Sequence, residues 1–441
     1  VMQSVKIYPA ELGVSGWLET STYKNHQFNH EDEILDECDY VVVGAGYGGL
    51  GAATRLKELY PNAKIAVFEA LRIGSNDSGK NAGFLIDVPH KFGDDVLTPE
   101  DENWTVRLNV FAINKMREAV KANKLDVDWS EHGKYLAARE KRFWKILDHD
   151  REILDRMNMK YDDFDRRQLA ERLGTGYYSR AIFNPGSVLI NPAEVVRALF
   201  TTLGPNVHIF EKTPVMQIAG SETNPVVILL NGKKVRCRAA IVTTGPFLQE
   251  LGLSDHRFCP IISYGALSRQ LSAEEMEDFR GIEPWGVTAA NSAGTTVRFT
   301  KDNRLFVRNG LLYGTYYTCS PEQIRHSQKL LRKAFDNRFP DHSHVNFEYV
   351  WGGMIHLTMN AKPVFGRRGN VFFAGVGEGA GIAKVYTMGH FLAEWANGIE
   401  SEERSYMQND EEPSWLPPEP ICTLGATVRL IYEGFNAQGE V

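Results

Sequence analysis

The chain has 441 residues, of which 43% are apolar and 24% charged. That mix excludes wholesale disorder, a collagen-like repeat and a polytopic membrane protein, and the length leaves room for two or three domains. Acidic residues outnumber basic ones, 56 against 49, and the net charge of −7 disfavours a nucleic-acid partner.

Residues 1–37 are polar and aromatic without a clear period, and are expected to form an arm packed on a core. From Asp39 the pattern becomes strand, glycine turn, helix, strand: DYVVVGAGYGGLGAATRLKELYPNAKIAVFEA. A helix is expected over 103–123. A charged, solvated helical pair is expected over 137–173. A helix at 192–203 and strands at 206–210 and near Val215 follow. Residues 226–243 read as a hairpin turning at Asn231-Gly232. Alternation in TTVRFTKDNRLFVRNG predicts two strands joined at Asp302-Asn303. A helix at 321–335 precedes a strand-rich segment, and VFFAGVGEGAGIAKVYTMGHFLAEWANG reads as strand, glycine loop, helix.

The five cysteines are scattered and form no CxxC, which points away from a disulfide framework and toward a reducing cytoplasm. The pair His342 and His344 lies in a polar stretch without further ligands, so no metal is expected. No 18-residue apolar run is present, so no integral membrane segment is expected. The first residues lack a basic region followed by an apolar stretch.

Gly44, Gly46 and Gly49 form GxGxxG directly after the apolar residues 40–43, with Gly48 between them. Such glycines permit a tight turn, close approach to a pyrophosphate and close helix–strand packing. The following helix N-terminus offers free N–H groups to phosphate. Glu69 ends the next strand twenty residues after Gly49, where an acid can bond ribose hydroxyls. This pattern predicts a dinucleotide but leaves NAD and FAD open. The loop that follows, Ala70-Leu71-Arg72-Ile73-Gly74 and then SNDSGKNAG with Ser78, Gly79, Lys80 and Asn81, favours FAD. A longer cofactor needs N–H and hydroxyl groups along its diphosphate and flavin.

VVVGAGYGGLGAA…VFEA together with LRIGSNDSGKNAGF resembles the FAD-dependent amine oxidoreductases of the D-amino-acid oxidase superfamily, nearest the glycine oxidase and gamma-glutamylputrescine oxidase branch. Lys80 and Ala82 replace an arginine and a glycine of that branch. The resemblance extends through NPAEVVRALF…TPVMQI, AAIVTTGPF and WGGMIHLTMNAKPVFGRRGNVFFAGVGEGAGIAKVYTMG. It implies an α/β (α+β) fold in which a Rossmann-like FAD-binding domain, 1–95, 175–260 and 350–441, interleaves with a substrate domain on a mostly antiparallel sheet, 96–174 and 261–349.

The resemblance also implies cofactor contacts from Val215, Thr244, Gly245, Gly375, Glu378, Gly379, Gly381 and Ile382. Relatives that attach flavin covalently carry a cysteine where this chain has Ile355, so non-covalent FAD is expected. Relatives that hold a substrate carboxylate by lysine carry it at the position of Ala383. Lys384 is one residue on, a turn of about 100° around a helix. Candidate substrate-facing residues are Tyr264, Arg298, Trp351, His356 and Lys384. An arginine or lysine at the flavin would suit an anionic substrate tail.

The expected reaction is oxidation of an amine C–H bond to an imine that hydrolyses, with O2 as acceptor. A dehydrogenase passing electrons to a quinone or carrier is the near alternative. An NAD-linked dehydrogenase, a nucleotide bound for structure alone and a flavin domain serving RNA modification are the remote ones.

Overall fold

The computed structural model describes residues 3–89, 97–220, 222–379 and 381–440. Two large sheets organise them. The first has six strands in the spatial order Val364–Arg368, Val371–Gly375, Ala239–Val242, Tyr40–Val43, Ile65–Phe68 and Val207–Phe210. All neighbours run parallel except the first pair. The strands YVVV, IAVF and AAIV are buried at every position, as expected for a parallel sheet covered on both faces.

Helices Tyr47–Leu59, Pro99–Ala122, Pro192–Phe200 and Ile382–Ala396 share one core with Val42, Val67 and Ile241. Val41, Phe68 and Ala240 point the other way, into a core shared with a small sheet of Val215–Ala219, Val226–Leu229 and Lys234–Arg236. The expected hairpin is thus shorter than 226–243. It turns at Asn231-Gly232, where Leu229 N–H donates to Lys233 O at 2.9 Å. Its last segment, the wholly apolar AAIV, leaves for the centre of the parallel sheet, where both its faces are buried.

The second sheet has eight strands in the order Phe347–Leu357, Cys259–Ser268, Leu305–Tyr313, Thr296–Phe299, Trp285–Ala289, Lys134–Ala138, Arg180–Asn184 and Asp162–Asp165. Pairing is antiparallel except between Trp285–Ala289 and Lys134–Ala138. The turn at Asp302-Asn303 forms with Asn303 at φ 60°. The charged stretch over 137–173 holds helices Trp144–Arg156 and Arg166–Leu173, and the edge strand Asp162–Asp165 separates them. Only Phe164 of that strand is buried, while Arg180 bonds Asp163 and Asp148 at 2.6 and 2.9 Å.

The helix Pro99–Ala122 packs on Ile382–Ala396, with Thr387 Oγ1 donating to Leu108 O at 2.9 Å. It therefore joins the parallel-sheet layer, although 96–174 was grouped with the substrate pieces. The strand Phe347–Leu357 crosses position 350 within the eight-stranded sheet. The C-terminal helix Ile421–Asn436, which no sequence pattern announced, lies against Leu305–Tyr313.

Helices Tyr47–Leu59 and Ile382–Ala396 cross in closest contact. A Cβ on Gly389 would collide with Gly48 O, and one on Gly51 with Tyr386 O. Backbone therefore touches backbone here. The two glycine segments from opposite ends of the chain meet through this crossing.

Candidate flavin and substrate site

Gly44 leaves the strand Tyr40–Val43 at φ +96°, a conformation that only glycine takes without strain. Its N–H donates to Phe68 O at 2.8 Å, which ties the turn to the next strand. Glu69 completes the tie: its carboxylate accepts from Ala45 N–H at 2.9 Å and Leu71 N–H at 3.0 Å. Burial raises its pKa despite these two bonds. Gly46 stands at the N-cap of the helix Tyr47–Leu59 and has no side chain to cap it, while Ser78 Oγ accepts from Tyr47 N–H at 3.3 Å. The helix turns its positive end toward the cavity, which Gly46, Tyr47 and Gly48 line.

The loop after Glu69 is clamped from several sides. Asn81 bonds Asp77 O and Ser78 O through Nδ2, and its Oδ1 accepts from Gly83 N–H at 2.9 Å. The N-terminal arm adds Ser15 Oγ to Gly79 O at 2.8 Å and Trp17 Nε1 to Asn81 O at 2.9 Å. Lys80 donates to Gly13 O at 3.0 Å, and its burial lowers its pKa to about 8.

One cavity runs between the two sheets. Gly44, Gly46, Gly48, Glu69, Ala70, Arg72, Ser78, Lys80, Asn81 and Val215 line one stretch of it. Thr244, Gly245, Gly375, Glu378, Gly379, Gly381 and Ile382 line another. Gly49 and Gly79 do not line it. They pack against Gly44 O and Gly74 O, so they shape the loops from behind. The helix Ile382–Ala396 begins without a side-chain cap and presents its N-terminus to the cavity. The hydroxyls of Thr243 and Thr244 are buried on the wall without a partner. Unpaired buried donors beside two helix N-termini fit a cofactor rich in acceptor oxygens.

The substrate-facing candidates separate sharply. His356 lines the cavity, and its Nε2 lies 2.8 Å from Asp77 Oδ2. A carboxylate only accepts, so Nε2 carries a proton toward Asp77. Asp77 is held in turn by Met354 N–H at 3.2 Å. The other four are corrected by the structure. Trp351 is fully buried against Trp17 and Phe306 and donates to Lys80 O at 3.0 Å, so it positions the loop from behind. Tyr264 lies on the opposite face of its strand, in the core under the helix Pro321–Arg338. Lys384 bonds the carboxylate of Glu378 and does not line the cavity. Arg298 is buried and donates to Ala82 O, Gly83 O and Ile190 O, with Asp128 at 3.8 Å. Asp302 pairs with Arg304 instead.

Arg308, Ser263, Thr288, Thr296 and Asp77 line the cavity and were missed. Strand parity could have found Arg308. It pairs with Thr296 across the turn, so it shares a face with Arg298.

A dinucleotide-binding type of sheet, a second sheet that adds hydroxyls and a cavity between them make the frame of a flavin-type oxidoreductase. The chain belongs to the FAD dependent oxidoreductase family, which it matches over residues 39–395. It is 26% identical over 419 residues to the probable oxidoreductase OrdL of Haemophilus influenzae, covering 91% of this chain and 92% of that protein. It is also 26% identical over 396 residues to the gamma-glutamylputrescine oxidoreductase of Escherichia coli, covering 87% and 89%. Glycine oxidase from Geobacillus kaustophilus has the same fold, with a TM-score of 0.70 at 18% identity over 83% of this chain and 96% of that one. The protein is therefore an FAD-dependent oxidoreductase. No helix of the described residues is long and apolar enough to cross a membrane.

Proposed function

We propose that the protein oxidises a primary or secondary amine at the carbon bearing nitrogen, giving an imine that water hydrolyses to a carbonyl compound and ammonia or a smaller amine. The observation that carries this reading is the single cavity that joins the glycine loops to a chamber of hydroxyls and His356. The substrates for which similar proteins are named support the substrate class, since gamma-glutamylputrescine, glycine and iminodiacetate are all amines. Bound FAD supplies the two-electron acceptor for the C–H bond. Two electrons and two protons leave the amine, and O2 takes them to become H2O2.

The chain's own task is to orient and desolvate the amine. The buried chamber favours the neutral amine over the ammonium. His356 Nδ1, with its ring fixed by Asp77, is placed to take the proton that the incoming ammonium must lose. His356→Gln is expected to slow anaerobic flavin reduction by about 10²-fold while FAD stays bound. Stopped-flow absorbance measures it, and an unchanged rate removes His356 from the reaction.

FAD is held without a covalent bond in this reading. Ile355 lines the cavity, and no cysteine does among the described residues. Acid precipitation should leave yellow supernatant, and a yellow pellet contradicts the claim. Peroxide formed in step with amine consumption supports O2 as acceptor. Turnover that needs an added quinone or dye and yields no peroxide supports the dehydrogenase instead. All five cysteines are free, which suits the cytoplasm.

A further inference from the structure

Two thiols from distant parts of the chain meet where the helix Ile421–Asn436 lands on the second sheet. Cys259 opens the strand Cys259–Ser268. On that strand Ile261 pairs with Tyr313, and Gly314 N–H donates to Pro260 O at 2.8 Å. The same register continued by one step sets Thr315 beside Cys259. Side chains alternate between the faces of a strand, so Cys259, Ile261 and Tyr313 share one face. The first turn of the helix covers this corner. Cys422 Sγ lies 3.4 Å from Tyr313 Oη, and Thr423 Oγ1 lies 3.4 Å from Thr315 Oγ1. The Cys259 and Cys422 thiols hydrogen-bond to each other there. Both are free, Cys422 buried and Cys259 half-buried.

The two thiols are not equivalent. Cys422 is the second residue of its helix, where the positive end of the dipole favours a thiolate. The hydrogen bond from the Cys259 thiol and then the contact with Tyr313 bring its pKa down to about 6, against burial and the Glu419 carboxylate. Cys259 moves the other way, raised by the same shared proton and by burial. The pair therefore holds one thiolate and one thiol. Cys38 and Cys237 are the contrast. They are also close together, yet burial raises both, to about 11 and about 12, and the Cys237 thiol donates to Pro225 O at 3.6 Å.

We propose that Cys259 and Cys422 are a modification site for peroxides, closing to a disulfide that fastens the C-terminal helix to the strand Cys259–Ser268. The Cys422 thiolate attacks one oxygen of H2O2. An S–O bond forms, the O–O bond breaks, and the hydroxide that leaves takes a proton and becomes water. Cys259 then attacks the sulfur of the resulting sulfenic acid. An S–S bond forms, the S–O bond breaks, and the departing hydroxide leaves as a second water with the Cys259 proton. The two sulfurs give up two electrons, and the peroxide is reduced to water. The resting pair is reduced, and in a reducing compartment such a bridge is transient and redox-sensing. The helix follows the residues 39–395 that match the family, so the bridge joins the shared fold to a segment beyond it. The site stands whether or not the enzyme makes the peroxide itself.

The test treats the oxidised holoenzyme, without amine, with a small excess of hydrogen peroxide, then denatures it and counts thiols. Five free thiols are expected before treatment and two fewer after it, with dithiothreitol restoring all five. Proteolysis and mass spectrometry should find the peptides of Cys259 and Cys422 joined. Cys259→Ser should retain yellow FAD and stop at a Cys422 sulfenic acid, which dimedone traps. Cys422→Ser should leave Cys259 reduced. The bridged enzyme should unfold at a higher temperature than the reduced one, because the bridge closes a long loop. Five thiols surviving the peroxide, a bridge between any other pair, or Cys259 oxidised at the unaltered rate in Cys422→Ser overturns the proposal. A bridged enzyme that unfolds no higher overturns the claim that the bridge fastens the helix. If either variant fails to accumulate as a yellow protein, the thiol count and the peptide map of the unaltered enzyme decide alone.

Discussion

Gly389→Leu is expected to yield a colourless protein that unfolds well below the unaltered enzyme. A side chain at 389 would drive into Gly48 O, a backbone atom that cannot rotate away. Overpacking of this kind costs about 1–3 kcal/mol where neighbours can give, and more where the obstacle is backbone. The damage is not local. The helices Tyr47–Leu59 and Ile382–Ala396 that cross at Gly48 and Gly389 both open onto the cavity at their N-termini. Parting them moves two anion-favouring helix ends away from one cofactor. Gly425→Ala is the matched control. It lies within the helix Ile421–Asn436 with nothing near its would-be Cβ, so it should be neutral or stabilising by about 0.5–1 kcal/mol. Thermal unfolding and the FAD content of purified protein measure both. A yellow Gly389→Leu enzyme of ordinary stability would show that the crossing does not join the two halves of the site.

The second large effect is expected from Arg298→Leu. The carbonyls of Ala82, Gly83 and Ile190 would lose the guanidinium donor, with Gly83 O keeping only Ile190 N–H, and Asp128 would lose its counter-charge. Removing one member of a buried ion pair typically costs about 3–5 kcal/mol. The loss should depend on pH with a definite sign. Burial raises the Asp128 pKa to about 6, and Arg298 pulls it back. Folded Asp128 therefore binds a proton more readily than unfolded Asp128, and its contribution to stability falls as pH rises through that window. Without Arg298 the folded pKa climbs further, so the window extends upward. The stability deficit of Arg298→Leu should be larger at pH 8 than at pH 5.5, by thermal unfolding. A deficit that is equal at the two pH values, or larger at 5.5, contradicts this account of the pair. The substrate panel of the surviving holoenzyme should not change, because Arg298 does not face the cavity.

What could be read from the sequence was backbone chemistry. The glycine loop at 44–49, the acid at 69 and the second loop near 379 announce themselves because close approach and free N–H groups demand particular residues at particular spacings. Side-chain direction was harder. Arg298 and Arg308 share a strand face, but one is absorbed by carbonyls of the loop beside it and the other opens into the cavity. That difference is set by what packs above each strand, which no local pattern contains. Tyr264 and Trp351 failed for the same reason. Parity puts Tyr264 on the far face, and the N-terminal arm covers Trp351 with Trp17. Lys384 was recognised as displaced by about 100° from a carboxylate-binding position. Its partner Glu378, in the preceding loop, shows where the charge went instead. The polar row on the second sheet was legible in principle, through the alternation of VRF and LFVR, once the turn at Asp302-Asn303 fixed the register.

The most direct test of the central claim is anaerobic mixing of the oxidised holoenzyme with a panel of amines, N-methyl amino acids and omega-amino acids, followed by visible absorbance. The account predicts bleaching of the flavin by at least one amine of the panel, with the corresponding carbonyl compound recovered from the mixture. A flavin that stays oxidised with every amine, yet bleaches with a 2-hydroxy acid, with glycerol 3-phosphate or with a reduced nicotinamide, would contradict it.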